Sequence, residues 1–321
     1  MTGAHSPEVV TVGETMAALR ATGAIRLGAP MELSVAGAES NVAIGLARLG
    51  HAVGWAGRVG DDEFGQLVLR TLRAERVDVS HARIDREARP TGLLTREDRV
   101  GDLVRVLYHR AGSAGSALRA EDVRQALVPG LRVLHLTGIT PALGRTAADA
   151  VRAAAERARE LGATVCFDVN YRARLWSPEQ ARAALRPLAG HADLLVASAD
   201  ELHLVAADPG HDEATAVASL LAEGRREVVI TRGGDGASVT GVHGTVHAAA
   251  RPVPVRDVVG AGDAFVAGYL SGLLDGLTPA DRLHRATTTA AFAVATRGDW
   301  EGLPTRADLP LLDRPAGTTL R

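Results

Sequence analysis

Residues 257–263, Asp-Val-Val-Gly-Ala-Gly-Asp, put two glycines and an alanine directly before a carboxylate that opens an apolar run, Asp263 to Leu274. Gly260 and Gly262 can take backbone angles closed to other residues, so successive N–H groups can point at one spot. If the apolar run is a helix, its N-terminus adds unpaired donors and partial positive charge. Gly260, Ala261 and Gly262 would then form an anion site. A loop that only bound an anion would gain nothing from a second negative charge at its mouth. Asp263 is instead suited to take the proton from a hydroxyl that receives a phosphoryl group. The structural alternative is an ordinary Asp N-cap.

Composition narrows the chemistry further. The chain has 321 residues and no lysine: all 36 basic residues are arginine. A Walker A loop, a Schiff-base aldolase and a pyridoxal enzyme each need lysine, so none of these fits. No Gly-x-Gly-x-x-Gly follows the first apolar segment, which argues against a nicotinamide dehydrogenase. A net charge of −2 supplies no field for nucleic acid. With 46% hydrophobic and 23% charged residues the chain reads as soluble and globular. The run to Leu274 is too short to cross a bilayer, and Thr2–Glu8 lacks the character of a secretory leader. The lone Cys166, inside an apolar strand, excludes an internal disulfide and fits a reducing cytoplasm. The expectation is a cytoplasmic protein with neither membrane nor nucleic-acid partner.

The elements that must position Asp263 alternate between strand and helix. Val9–Val12, Val53–Ala56, Val133–Leu136, Thr164–Phe167, Leu194–Ala197 and Val228–Thr231 are short apolar strands. Between them lie helices from a Ser40 cap through Leu49, Glu63 to Glu75 behind an Asp61-Asp62 cap, Arg145–Leu161, and near Ala214–Ala222. This rhythm predicts an α/β fold with a mainly parallel sheet covered on both faces and ligands at the carboxyl ends of its strands. Asp168-Val-Asn-Tyr-Arg172, Ser198 to Glu201 and Thr231 to Gly236 all follow strand ends. Thr15–Arg20 with Met31–Ala36, and Gly92–Arg99 with Leu103–Arg110 across a Val100-Gly-Asp102 turn, alternate polar and apolar residues. They predict a small β-sheet lid, about residues 15–36 and 91–110, on one domain spanning 1–321. Small residues at Ala264, Gly268 and Gly272 predict close helix packing.

Gly57-Arg-Val-Gly-Asp-Asp-Glu-Phe-Gly65 together with Asp257-Val-Val-Gly-Ala-Gly-Asp263 resembles the two signature regions of the PfkB (ribokinase-like) carbohydrate kinases. The match runs over essentially the whole chain. Within that family the chain is most similar to 2-keto-3-deoxygluconate kinases. The segments that carry this are Ala36-Gly-Ala-Glu-Ser-Asn41, Tyr108-His-Arg110, Asp168-Val-Asn-Tyr-Arg172 with Leu175-Trp176, and Arg297-Gly-Asp-Trp-Glu-Gly302.

The resemblance implies ATP and Mg²⁺ as co-substrates, transfer to a sugar's terminal hydroxyl, and homo-oligomers formed lid to lid. It leaves a monovalent cation requirement open. It makes Asp263 the catalytic base and the amides of Gly260, Ala261 and Gly262 the hole for the transferring group. Gly37, Asn41, Tyr108, His109, Arg110, Arg172 and Asp299 fall on the sugar side. Asn170, Ser198, Glu201, Thr231, Gly233, Gly236 and Thr287 fall on the nucleotide side, with Glu201 acting on Mg²⁺ through water. Arg110 and Arg172 select an acid sugar, because guanidinium forks suit a planar carboxylate that a neutral hexose lacks. The chain departs from the family pattern with Val258, with Ser198 and Thr287 in place of asparagines, and with Ala36 before Gly37. The alternatives are a fructokinase or other hexose kinase of the same family, and a non-catalytic sugar- or nucleotide-binding regulator.

Overall fold

A computed structural model describes residues 6–26, 30–99 and 103–314. In chain order its elements are β1 (Val9–Val12), β2 (Met16–Ala21), β3 (Glu32–Ala36), α1 (Ala38–Arg48), β4 (Val53–Ala56), β5 (Arg58–Gly60) and α2 (Glu63–Ala74). There follow β6 (Arg83–Asp85), β7 (Leu93–Asp98), β8 (Val104–His109), α3 (Ala120–Arg124), β9 (Val133–Thr137), α4 (Arg145–Glu160), β10 (Thr164–Asp168) and α5 (Pro178–Ala189). The last are β11 (Leu194–Ser198), α6 (Glu213–Ala222), β12 (Glu227–Thr231), β13 (Ala237–Gly241), β14 (Gly244–Ala248), α7 (Ala261–Leu274) and α8 (Pro279–Val294).

Eight strands form one sheet in the order β14-β13-β12-β11-β10-β9-β1-β4. From β12 to β4 every pairing is parallel, and the β13–β14 hairpin closes one edge in antiparallel register. Strands buried on both faces read as unbroken apolar runs, which is why Leu194–Ser198 carries no alternation. Leu134, Leu136 and Phe167 face a core shared with α3 to α6; Val133, Cys166 and Val196 face one shared with α1, α2 and α7. Cys166 is fully buried there, and burial pushes its thiol well above the ordinary value.

Helix ends follow local chemistry. Asp62 caps α2, accepting from Gly65 N at 2.7 Å, and its second oxygen accepts from Thr91 N at 2.8 Å just before β7. Ser40 does not cap α1, contrary to the sequence expectation: Gly37 does, and the Ser40 hydroxyl donates back to Gly37 O at 2.9 Å. Space decides this, since a Cβ at residue 37 would stand 2.4 Å from Glu14 O. The small-residue face of α7 packs on α8 as expected; a Cβ at Gly268 would lie 2.8 Å from Ala286 Cα.

A separate four-stranded sheet, β3-β2-β7-β8, lies over the carboxyl ends of the parallel strands. Its Met16, Leu94, Arg96, Val106 and Tyr108 face the cleft below. The expected Val100-Gly-Asp102 turn lies outside the described residues, although β7 and β8 pair antiparallel as expected.

Candidate active site

A cleft of about 690 Å³ opens where three structures meet: the carboxyl ends of β10, β11 and β12, the N-termini of α1 and α7, and the inner face of the second sheet. The last residue of each of those strands, Asp168, Ser198 and Thr231, lines it.

Asp263 sits in the first turn of α7, only 6% exposed. Asn41 Nδ2, from α1, donates to its Oδ2 at 2.8 Å, and no other side-chain contact of this kind reaches that carboxylate among the described residues. Asn41 Oδ1 is buried without a partner, an acceptor free for a ligand hydroxyl. Burial raises the Asp263 carboxyl from 3.8 to about 7, with Asn41 and Arg172 opposing and Asp299 and Glu39 adding to the shift. A carboxylate poised there exchanges protons readily near neutrality.

The loop before α7 provides the donors. Gly260 takes φ +75, and a Cβ on it would lie 2.0 Å from Asp299 O. Gly262 is different, because a Cβ there would meet nothing within 4 Å. Its missing side chain leaves room in the cleft. Among the described residues the amides of Gly260, Gly262 and Asp263 have no acceptor, whereas Ala261 N–H leans on Val258 O at 3.3 Å. Gly260, Gly262 and Asp263 therefore line the cleft with free amides, whereas Ala261 does not line it.

On the side of α1 and the second sheet, Gly37, Asn41, Tyr108, Arg110, Arg172 and Asp299 all line the cleft. Arg110 grips Glu14 Oε2 through Nε at 2.7 Å and Nη2 at 2.5 Å, and Ser113 Oγ donates to Glu14 Oε1. Its guanidinium also lies 5.6 Å from the Tyr108 ring centroid. Arg172 has no ion pair among the described residues, yet its charge partly opposes the burial-driven rise of both Asp168 and Asp263. Asp299 is held by Arg20 Nη2 at 3.0 Å, and burial raises it to about 6. His109 is exposed on the opposite face of β8 from Tyr108, because strand neighbours alternate.

Toward β11 and β12, Asn170, Ser198, Glu201 and Thr231 line the cleft. Glu201 Oε1 accepts from Tyr171 N at 2.6 Å and Oε2 from Ser198 N at 2.9 Å. Asn170 takes φ +40, uncommon for a side-chain-bearing residue, and donates to Asp168 Oδ2 at 3.0 Å. Gly233 and Gly236 stand outside the cleft wall in the β12–β13 connection, and the buried Thr287 hydroxyl is spent on His284 O at 3.1 Å.

The matching family model is that of the pfkB family carbohydrate kinases, and it covers residues 6–306. The chain belongs to this family. A 2-dehydro-3-deoxygluconokinase of Bacillus subtilis (strain 168) is 38% identical over 94% of either chain. One from Thermoproteus tenax is 37% identical over 92% of this chain and 91% of its own. Among solved structures, a fructokinase from Vibrio cholerae O395 with fructose, ADP and calcium ion bound aligns with a TM-score of 0.81 at 27% identity, covering 96% of this chain and 99% of that one.

Sequence reasoning gave no individual role to several residues in or beside the cleft of this carbohydrate kinase. Glu14 and Asp168 carried a usable signal, since both sit at carboxyl ends of core strands. Asp168 is raised well above its ordinary value by burial, by Glu201 and by Asp263. Neighbouring carboxylates of this kind suit a hard, hydrated divalent cation. Arg20, Arg96 and the buried Glu39, which accepts from Thr137 and Thr140 at 2.6 and 2.7 Å, left no local signal.

Proposed function

We propose that the protein phosphorylates the terminal hydroxyl of 2-keto-3-deoxygluconate with ATP. The sugar would lie between α1 and the lid formed by β2, β3, β7 and β8, with its hydroxyl at Asp263. Asp263 takes the hydroxyl proton as the oxygen bonds to the γ-phosphorus; the bond from that phosphorus to the β–γ bridging oxygen breaks, and ADP leaves. Amides of the loop at 260–263 meet the charge on the transferring group. Glu201, with Asp168 beside it, would hold Mg²⁺ through water. When bound, that ion supplies countercharge to the phosphate oxygens.

The observation that carries the acid-sugar reading is Arg172, which has no ion pair among the described residues and lies in the same cleft as Asp263. Arg110 is already neutralised by Glu14, whereas Arg172 and its neighbour Arg174 line the cleft with no ion pair among the described residues. Two measurements test this. Coupled-assay turnover across sugar acids and neutral hexoses should favour carboxylate-bearing sugars, and equal turnover on fructose would reject the reading. Arg172→Ala should raise the sugar-acid KM about 10- to 100-fold, the worth of a charged hydrogen bond, while the ATP KM changes far less.

Two further parts of the reading follow. Among the described residues no helix is long and apolar enough to cross a membrane, which supports a cytoplasmic enzyme. The lid's outer face supports assembly lid to lid.

A further inference from the structure

Arg20 on β2 and Arg96 on β7 are direct register partners on the inner face of the lid. Two like charges side by side repel unless each is met by a carboxylate. Here each is, and the close carboxylates come from the core; the lid's own Asp98, on the same strand, reaches Arg96 Nε only at 3.8 Å. Arg20 reaches Asp299 at 3.0 Å and Glu301 at 2.5 Å. Arg96 Nη1 lies 2.6 Å from Asp257 Oδ2; this is a contact of charge with charge, its angle outside hydrogen-bond geometry. Arg96 is 8% and Asp257 6% exposed, so the pair is shielded from solvent.

Asp257 is the first residue of the loop that ends at Asp263. Its Oδ1 accepts from Val259 N and its Oδ2 from Gly298 N, each at 3.1 Å. It therefore fixes the chain immediately before Gly260 and ties it to the turn that carries Asp299. The contact between Gly260 and Asp299 O closes the same unit from the other end. Nothing else from the lid pairs with Asp257 among the described residues.

We infer that Arg96 is a positioning residue: through Asp257 it makes the shape of the anion loop depend on the lid. A sugar seated under the lid thus helps to set the amides that receive the phosphoryl group. Arg96 lines the cleft, and the role assigned to it is the one it exerts through Asp257. The inference rests on the kinase reading for its consequence, while the clasp itself can be measured without turnover.

The test uses the full chain as wild type, Arg96→Met, Asp257→Asn and the double variant. Hydrogen exchange by mass spectrometry should show faster exchange across 258–263 in each variant, with β9 to β12 unchanged. On whichever sugar the wild type phosphorylates best, kcat should fall on the order of 100-fold, as expected when a reacting group is misplaced by about 1 Å, with sugar KM within about threefold. The double variant should be no slower than the worse single one, because a broken pair cannot be broken twice. If Arg96→Met does not fold, Asp257→Asn, which keeps the side-chain shape, carries the same comparison. Unchanged exchange at 258–263, kcat within about twofold of wild type, or losses that multiply would each overturn the clasp. A wild type inactive on every sugar acid would instead defeat the substrate reading and leave the exchange result standing.

Discussion

Burial disfavours charge, and Asp263, raised from 3.8 to about 7, carries that cost in the folded chain. The sign follows from linkage. A folded-state value above the unfolded one means the native chain holds the proton more tightly. The resulting stability is complete below about pH 4 and is lost as pH rises through about 7. The full shift is worth on the order of 4 kcal/mol. Asp263→Asn cannot ionise, and its amide oxygen can still accept from Asn41. We expect kcat to fall about 1,000-fold, within the range for losing a general base. The thermal midpoint at pH 8 should meanwhile rise by about 6 °C, with the gain shrinking toward pH 5. Wild-type kcat/KM should climb with pH to a plateau above about 7. Calorimetry and a pH series check both arms; a variant no more stable than wild type at pH 8 contradicts the burial cost. That Asp263, Gly260 and Gly262 stand together at a cleft was legible because the motif is local in sequence. Arg20 was not, because its partner Asp299 lies 279 residues away and no spacing rule links them.

At the scale of the element, the two glycines at the start of α7 separate fold from function. Gly260 is required by the backbone, whereas at Gly262 a Cβ would meet only the open space of the cleft. Gly260→Ala should lower both stability and activity, since its Cβ would collide with Asp299 O. Gly262→Ala should fold normally, gaining about 0.5 kcal/mol from helix propensity, yet lose at least about tenfold in kcat/KM for ATP. Denaturant titration beside kinetics distinguishes the two; full activity in Gly262→Ala would show that the open space is not used. Most core strands were readable because short apolar runs between helices have few other solutions. The α8 helix escaped because Thr287, Thr288 and Thr289 weaken its helical signal, and β14 because its side chains are mostly exposed. The α5 helix could have been found from its Ser177-Pro-Glu-Gln180 capping box.

For the molecule as a whole, the outer face of the lid is the feature that solvent alone does not explain. Leu33, Leu19, Thr95 and Leu107 form one cross-strand row there, and both Leu33 and Leu107 are 48% exposed. A second copy of the chain seated on this row would cover those leucines. Sedimentation velocity at micromolar concentration should show an oligomer, converted to monomer by Leu33→Glu with Leu107→Glu. A monomeric wild type would remove the assembly reading. The interior has a different consequence. Cys166 is fully enclosed and, without lysine, no side chain carries a primary amine. Thiol- and amine-directed reagents therefore find almost nothing to modify. A single cysteine introduced on the surface would become a unique attachment point for a spectroscopic probe, with no native residue to remove first.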